Sequence, residues 1–130
     1  ARWALWNTAL RMFSARPATG VGPGGYLRLF TAYHPGPLDN EFAWGSAHNL
    51  YLHQLAERGV LGALALLILC AAFITRAVRA ARIEADTRAL WAAGAVVVLL
   101  AMSLTETSFQ NEQFSTLFLL VWAWGTVSLR

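Results

Sequence analysis

The sequence predicts an all-α fold: a fragment of a polytopic integral membrane protein in which interfacial helices precede three transmembrane helices. The 130 residues are 57% hydrophobic with a mean hydropathy of +0.46, which is too apolar for an ordinary soluble domain of this size. Three apolar runs carry that composition, at about residues 60–75, 89–104 and 114–129. The chain begins at Ala1 rather than Met, so we expect that the N-terminal part of the parent protein is missing.

The first element predicted is an amphipathic helix over residues 1–15. Trp3, Trp6, Leu10 and Phe13 recur at helical spacing, and polar side chains occupy other positions around the helix. Tryptophan anchors helices at the level of the lipid headgroups. We therefore expect this helix to lie at a membrane interface.

A glycine-rich segment at residues 19–25 follows Pro17, which ends that helix. Its backbone amides could approach a phosphate, but it lacks the Lys-Ser/Thr of a nucleotide P-loop and follows no strand. A tight turn is the better interpretation, and we expect no nucleic-acid partner. Residues 26–33 are short and mostly apolar, and residues 34–45 form a loop by their Pro, Gly, Asp and Asn content. We expect little regular core in this part of the chain.

The segment around His48 joins the extramembrane part, residues 1–59, to the first apolar run. Ser46 is a good helix N-cap, so the sequence predicts a helix that begins near Ala47 and enters the bilayer after Gly59. In the first turn of that helix, the helix dipole would disfavour imidazolium and keep His48 able to accept a proton. The alternative is a histidine that only caps or packs at an interfacial helix end. Three polar residues are expected to keep one side of the helix in water: Asn49, Gln54 and Glu57.

The charges between the apolar runs predict their orientation. The loop at residues 76–88 holds four arginines and two acids, whereas residues 105–113 hold two acids and no base. The positive-inside rule places the first loop in the cytoplasm and the second outside, so His48 and residues 1–59 face the exterior. Five of the chain's ten arginines fall in that exterior segment and indicate an anionic partner, although arginine without lysine can equally reflect codon bias.

Several kinds of site find no support in the residues. His48 and His53 are five positions apart, on different helix faces, so they predict no metal site. No serine or cysteine has the partners of a catalytic nucleophile. Glu106, just past the second run, is either functional or a helix-end carboxylate in contact with headgroup water. What remains, a histidine and arginines at an exterior membrane surface, suits a reaction in which a lipid-linked phosphate is the leaving group.

Four stretches form an ordered set, Arg2 to Leu10, Pro17 to Gly24, Ala47 to Leu52 and Glu57 to Gly62. Together they resemble the O-antigen ligase and O-antigen polymerase family of bacterial inner-membrane proteins. The resemblance implies transfer of a glycan from undecaprenyl diphosphate to an acceptor sugar hydroxyl at the periplasmic face, in lipopolysaccharide or surface polysaccharide biosynthesis. It implies no metal and no cofactor. It leaves open whether the enzyme is a ligase or a polymerase.

The resemblance also implies roles for particular residues. His48 is the base or orienter for the acceptor hydroxyl, and Arg2 binds the diphosphate. Four further residues are weaker candidates for substrate binding: Arg11, Asn49, Tyr51 and Glu106. The implied partners are the undecaprenyl-diphosphate-linked glycan, an acceptor glycolipid or glycan, and membrane lipid. Further arginines of the family come from preceding helices, so we expect this fragment alone to be inactive.

Two other functions remain open from the sequence: a membrane permease or anion transporter, and a membrane scaffold without activity. A transport path needs polar residues through the spans. The three apolar runs carry no charge in their middles, which favours surface chemistry over transport.

Overall fold

The computed structural model describes residues 2–34, 36, 45–83, 87–106, 116–117, 119–121 and 123. The regular structure of these ranges is helical, which confirms the all-α prediction: α1 is Arg2–Ala15, α2 is Gly25–Tyr33, α3 is Leu50–Ile83 and α4 is Thr87–Met102. By length and composition α3 is able to cross a membrane, and α4 is apolar but shorter. The loop predicted at 34–45 and the run at 114–129 lie largely outside the described residues.

The chain divides into two compact units. The N-terminal unit comprises Ala1–Ala65 with Ser103–Thr107, and the C-terminal unit comprises Leu66–Met102 with Ser108–Arg130. In the C-terminal unit, α4 buries small side chains, and Phe73 packs against Ala92 in a hydrophobic cluster. Small residues at such a surface let helices approach closely in lipid.

Helix α1 confirms the helix predicted over the first fifteen residues, but it is apolar on two sides. Trp3 and Leu10 of the predicted apolar face are exposed. Leu5, Ala9 and Met12 form a second face, which is buried in the core of the N-terminal unit. The sequence pattern identified the bulkier, exposed apolar face of α1 but not the buried one.

The N-terminal unit contains a hydrophobic core, so the expectation of little core before residue 59 is wrong. Helix α2, which the sequence analysis left unassigned, supplies its centre. The hydroxyl of Tyr26 donates a hydrogen bond to the carbonyl oxygen of Leu5 at 2.9 Å, and its ring packs edge-on against Phe30. Helix α1 and helix α2 are thereby joined through one buried tyrosine.

Helix α3 is broken at Gly59, where φ is 63° and ψ is −165°. The break leaves the next two N–H groups without acceptors in the preceding turn. The loop after α1 supplies them instead. The N–H of Val60 donates to the carbonyl oxygen of Pro17 at 2.8 Å. The N–H of Leu61 donates to the carbonyl oxygen of Ala18 at 3.3 Å.

The carbonyl groups on the other side of the break are satisfied by the same loop. Ala56 accepts a hydrogen bond from the N–H of Val21 at 2.8 Å, and Glu57 accepts one from Gly22 at 2.9 Å. The backbones lie so close that a Cβ atom at Gly20 would overlap the backbone of Glu57. We call this exchange between residues 17–22 and the break in α3 the interlock. It confirms the predicted turn and explains why it contains glycine.

Candidate functional site

His48 lies in the turn before α3, and not in the first helical turn as predicted, because α3 begins only at Leu50. The cap is Asn49, whose side-chain Oδ1 accepts the N–H of Leu52 at 3.0 Å. The prediction that Ser46 caps this helix is therefore wrong. The hydroxyl oxygen of Ser46 instead accepts the N–H of His48 at 3.4 Å, within the turn.

The backbone of His48 is left-handed, with φ of 46°, and no other non-glycine residue among those described has a positive φ. Such a conformation costs a non-glycine residue about 1–3 kcal/mol and persists only where the surroundings hold it. Strain of this kind concentrates at functional sites. The turn is therefore a constrained structure that sets where the imidazole stands.

The segment after α4 docks on the start of α3. The side-chain Nδ2 of Asn49 donates to the carbonyl oxygen of Leu104 at 2.9 Å. The N–H of Leu50, which has no acceptor inside its own helix, donates to the carbonyl oxygens of Ser103 and Glu106 at 2.9 and 3.1 Å. Because these contacts involve backbone atoms, they fix the position of the whole segment and with it the side chain of Glu106.

Three candidate residues from distant parts of the chain meet at this point. Oε2 of Glu106 lies 3.2 Å from Nδ1 of His48, and Oε1 lies 3.7 Å from Nη2 of Arg2. Their side chains are 38%, 51% and 56% exposed for His48, Glu106 and Arg2, so the cluster is open to solvent. We call these three residues the exposed cluster.

The carboxylate in the exposed cluster determines which ring nitrogen of His48 is free. An ionised carboxylate only accepts hydrogen bonds, so Nδ1 of His48 must carry a proton and donate it to Glu106. Nε2 is then the acceptor of the neutral ring. The contact between Arg2 and Glu106 is longer than a hydrogen bond and exposed. Such pairs contribute only about 0–1 kcal/mol, so the guanidinium is available to another anion.

The remaining candidates have other surroundings. Nε of Arg11 donates to Asn7 of the same helix at 3.1 Å, on an exposed surface of α1. Both polar side-chain atoms of Asn49 are used in the backbone contacts given above. Tyr51 is half-buried in the first turn of α3. In the part of the chain that the structure describes, no three His, Cys, Asp or Glu side chains are grouped to hold a metal ion.

A buried polar layer lies behind the exposed cluster, and the sequence analysis missed it. His53, Gln54 and Glu57 are only 1%, 7% and 4% exposed, and Asn49 is also buried. The prediction that Asn49, Gln54 and Glu57 keep this helix wet is therefore wrong: the start of α2 contacts Glu57, and the segment at Leu104 contacts Asn49. Helical periodicity was the available signal: these residues recur at three, four and seven positions after Leu50.

The carboxylate of Glu57 caps helix α2. Its Oε1 accepts the N–H of Tyr26 at 3.0 Å and lies 3.4 Å from Nε2 of His53. Burial raises the pKa of Glu57, but the neighbouring His53 and the backbone N–H groups of Tyr26 and Gly24 together outweigh it, so the pKa lies below its ordinary value. The N–H of Tyr26, directly after the glycine-rich segment, thus binds a carboxylate of the chain itself.

In a comparison with protein families, residues 1–67 match the family model described as O-Antigen ligase. This range contains α1, α2, the interlock and His48, whereas Glu106 lies beyond it. Comparison with curated proteins returned no match. The family match covers more than half of the chain and agrees with the resemblance of its four short stretches. The chain belongs to the O-antigen ligase family.

Proposed function

We propose that this chain is part of a multi-pass enzyme of the bacterial inner membrane that transfers a glycan from undecaprenyl diphosphate to a sugar hydroxyl at the periplasmic face. Membership of a membrane-bound family that acts in polysaccharide biosynthesis supports glycan transfer. The length and apolar composition of α3 support the membrane location. The observation that carries the proposal is the exposed cluster of His48, Glu106 and Arg2.

In the proposed reaction, the acceptor hydroxyl oxygen attacks the anomeric carbon of the donor glycan. The bond from that carbon to the diphosphate oxygen breaks, and its electron pair leaves with undecaprenyl diphosphate. Nε2 of His48 takes the hydroxyl proton as the glycosidic bond forms. Glu106 holds the Nδ1–H and stabilises the imidazolium that results, as a carboxylate does behind a catalytic histidine.

Arg2 is proposed to bind the diphosphate. A guanidinium matches phosphate oxygens with two parallel N–H donors, so it neutralises the charge that develops on the leaving group. The exposed contact with Glu106 is weak enough for the diphosphate to displace it. No metal or cofactor has a step in this scheme.

The other candidate residues have weaker proposed roles than His48 and Arg2. Arg11, on the exposed surface of α1, is proposed as a second contact for the phosphates. Tyr51 offers a partly exposed ring against which a sugar can pack. Asn49 acts through the position of the segment that carries Glu106.

The test is transfer of radiolabelled glycan from undecaprenyl diphosphate by membranes that contain the complete protein. His48→Ala and Arg2→Ala are compared with wild type, and Arg16→Ala is the matched control because Arg16 is also exposed. Lipid A core and free repeat unit are offered as separate acceptors. We expect wild type and Arg16→Ala to label one acceptor, which distinguishes a ligase from a polymerase, His48→Ala to label neither, and Arg2→Ala to label that acceptor much more slowly.

All four proteins must be present in the membrane at equal levels. Normal transfer by both His48→Ala and Arg2→Ala would contradict the proposal. Failure of well-expressed wild type to label either acceptor would count against glycan transfer to these acceptors and make anion transport the next function to assay.

A further inference from the structure

The backbone that precedes His48 is held by a second histidine. The N–H of Ala47 donates to Nδ1 of His53 at 3.3 Å, and both residues are buried, at 0% and 1% exposure. Ala47 is the immediate neighbour of His48, whose backbone is left-handed. The Ala47 N–H belongs to the peptide group between Ser46 and Ala47, so this hydrogen bond fixes the backbone one residue before His48 and thereby the position of the His48 side chain.

The surroundings of His53 select one neutral form of its ring. Since Nδ1 accepts a hydrogen bond from Ala47, the ring proton lies on Nε2. Nε2 faces Oε1 of Glu57 at 3.4 Å. Glu57 is held in turn by the N–H of Tyr26, and the Tyr26 ring lies against the imidazole with the ring centroids 4.9 Å apart. A line of buried groups therefore runs from the start of α2 to the Ala47 N–H, one residue before His48.

We propose that His53 is a positioning residue for His48: it fixes the Ala47 peptide and so holds the imidazole of His48 in its strained position. The proposal rests on the proposed function, in which His48 is the base. With 1% exposure, His53 cannot touch a substrate, so its effect on transfer must pass through its neighbours.

Two conservative substitutions separate this role from simple burial. In His53→Asn the amide oxygen lies near the place of Nδ1 and can still accept the Ala47 N–H. In His53→Gln the amide group reaches instead toward the place of Nε2 and Glu57, and the acceptor for Ala47 is lost. Both side chains are polar, neutral and no larger than histidine, so both place a hydrogen-bonding group in the layer without crowding it.

The experiment measures kcat and the donor KM of glycan transfer by the complete protein, for wild type, His53→Asn, His53→Gln and His48→Ala. A catalytic group displaced by about 1 Å can lose about a hundredfold in rate. We expect His53→Gln to lower kcat by about ten- to a hundredfold with the donor KM unchanged, and His53→Asn to keep kcat within about threefold. Equal kcat values for the two folded variants would overturn the positioning role.

A measurement on wild type covers the case in which neither variant folds. Nitrogen NMR of 15N-histidine protein reports which ring nitrogen carries the proton. We expect His53 to be protonated on Nε2 alone, and a proton on Nδ1 would overturn the proposal. The His48→Ala variant distinguishes the two proposals. Full activity of His48→Ala refutes His48 as the base. Loss of its activity, together with equal kcat values for His53→Asn and His53→Gln, refutes only the role of His53.

Discussion

Gly59 of α3 and Ala18 of the loop after α1 are in direct backbone contact, so that a Cβ atom at Gly59 would overlap the Ala18 carbonyl group. The contact belongs to the interlock, in which the N–H groups and carbonyls freed by the helix break are satisfied by residues 17–22. Two independent requirements therefore select glycine at position 59: a positive φ and the absence of a side chain.

Gly59→Ala is expected to destabilise the protein. The new methyl group forces the loop away from α3 and places alanine at a φ that it adopts poorly, which costs about 1–3 kcal/mol before any hydrogen bond is lost. Thermal unfolding of the detergent-solubilised protein measures the effect. Gly94→Ala is the matched control, because it lies within α4 and its Cβ would meet no neighbouring atom. Equal unfolding temperatures for the two variants would show that the interlock contributes nothing to stability.

Asn49 has two functions that substitutions can separate. Asn49→Ala removes both the cap of α3 and the bond to Leu104, so it should lower stability by about 0.5–2 kcal/mol and also lower transfer. Asn49→Asp keeps an oxygen for the cap but has no N–H for Leu104, so it should retain the cap of α3 and lose transfer as Glu106 loosens. Ser46→Ala, which removes a hydroxyl that contacts only the turn before this helix, should change stability by less than Asn49→Ala. Unfolding temperatures and transfer rates of the three variants test this order.

Glu57 is expected to make the fold sensitive to acid. Its pKa in the folded protein lies below the ordinary value of 4.5. Its contribution to stability is therefore fully present above the pKa of the unfolded chain and is lost as pH falls through the folded pKa. Unfolding temperatures from pH 7 down through the acid range should drop steeply for wild type and less steeply for Glu57→Gln, which has no charge to lose. Parallel curves for the two proteins would contradict the role assigned to this carboxylate.

The two arginines of α1 should differ in their effect on transfer. A hydrogen bond to a charged group contributes about 1.5–3 kcal/mol, so losing the contact of Arg2 with the departing diphosphate should lower kcat/KM by about ten- to a hundredfold. Arg11 donates to Asn7 and stands outside the exposed cluster. Arg11→Ala should therefore raise the donor KM by less than about tenfold and leave kcat unchanged. A larger defect in Arg11→Ala than in Arg2→Ala would reverse this assignment.

The sequence predicted the helical class, the first helix and the turn after it, because these follow from local patterns of apolar residues, proline and glycine. It also named Arg2, His48 and Glu106 as candidates, from a resemblance and from the place of Glu106 at the end of an apolar run. Their meeting could not be predicted, since it depends on backbone hydrogen bonds from Leu50 to a segment more than fifty positions away.

The errors share a physical origin. Ser46 and Asn49 are both good caps, and the choice between them depends on the segment at Leu104 that binds the amide of Asn49. Gln54 and Glu57 looked solvated because they are polar, but tertiary contacts cover them and hydrogen bonds compensate their burial. The local sequence does not show which polar residues form hydrogen bonds in the folded protein.

The interlock also limits how these proteins can be recombined. A hybrid that joins the extramembrane part of one relative to the apolar helix of another at residue 59 would pair a loop with a helix that did not evolve with it. Two backbone hydrogen bonds cross that junction, from Val60 to Pro17 and from Leu61 to Ala18. An exchange meant to transplant acceptor choice should therefore move residues 17–61 as one block, with crossover points on either side of it.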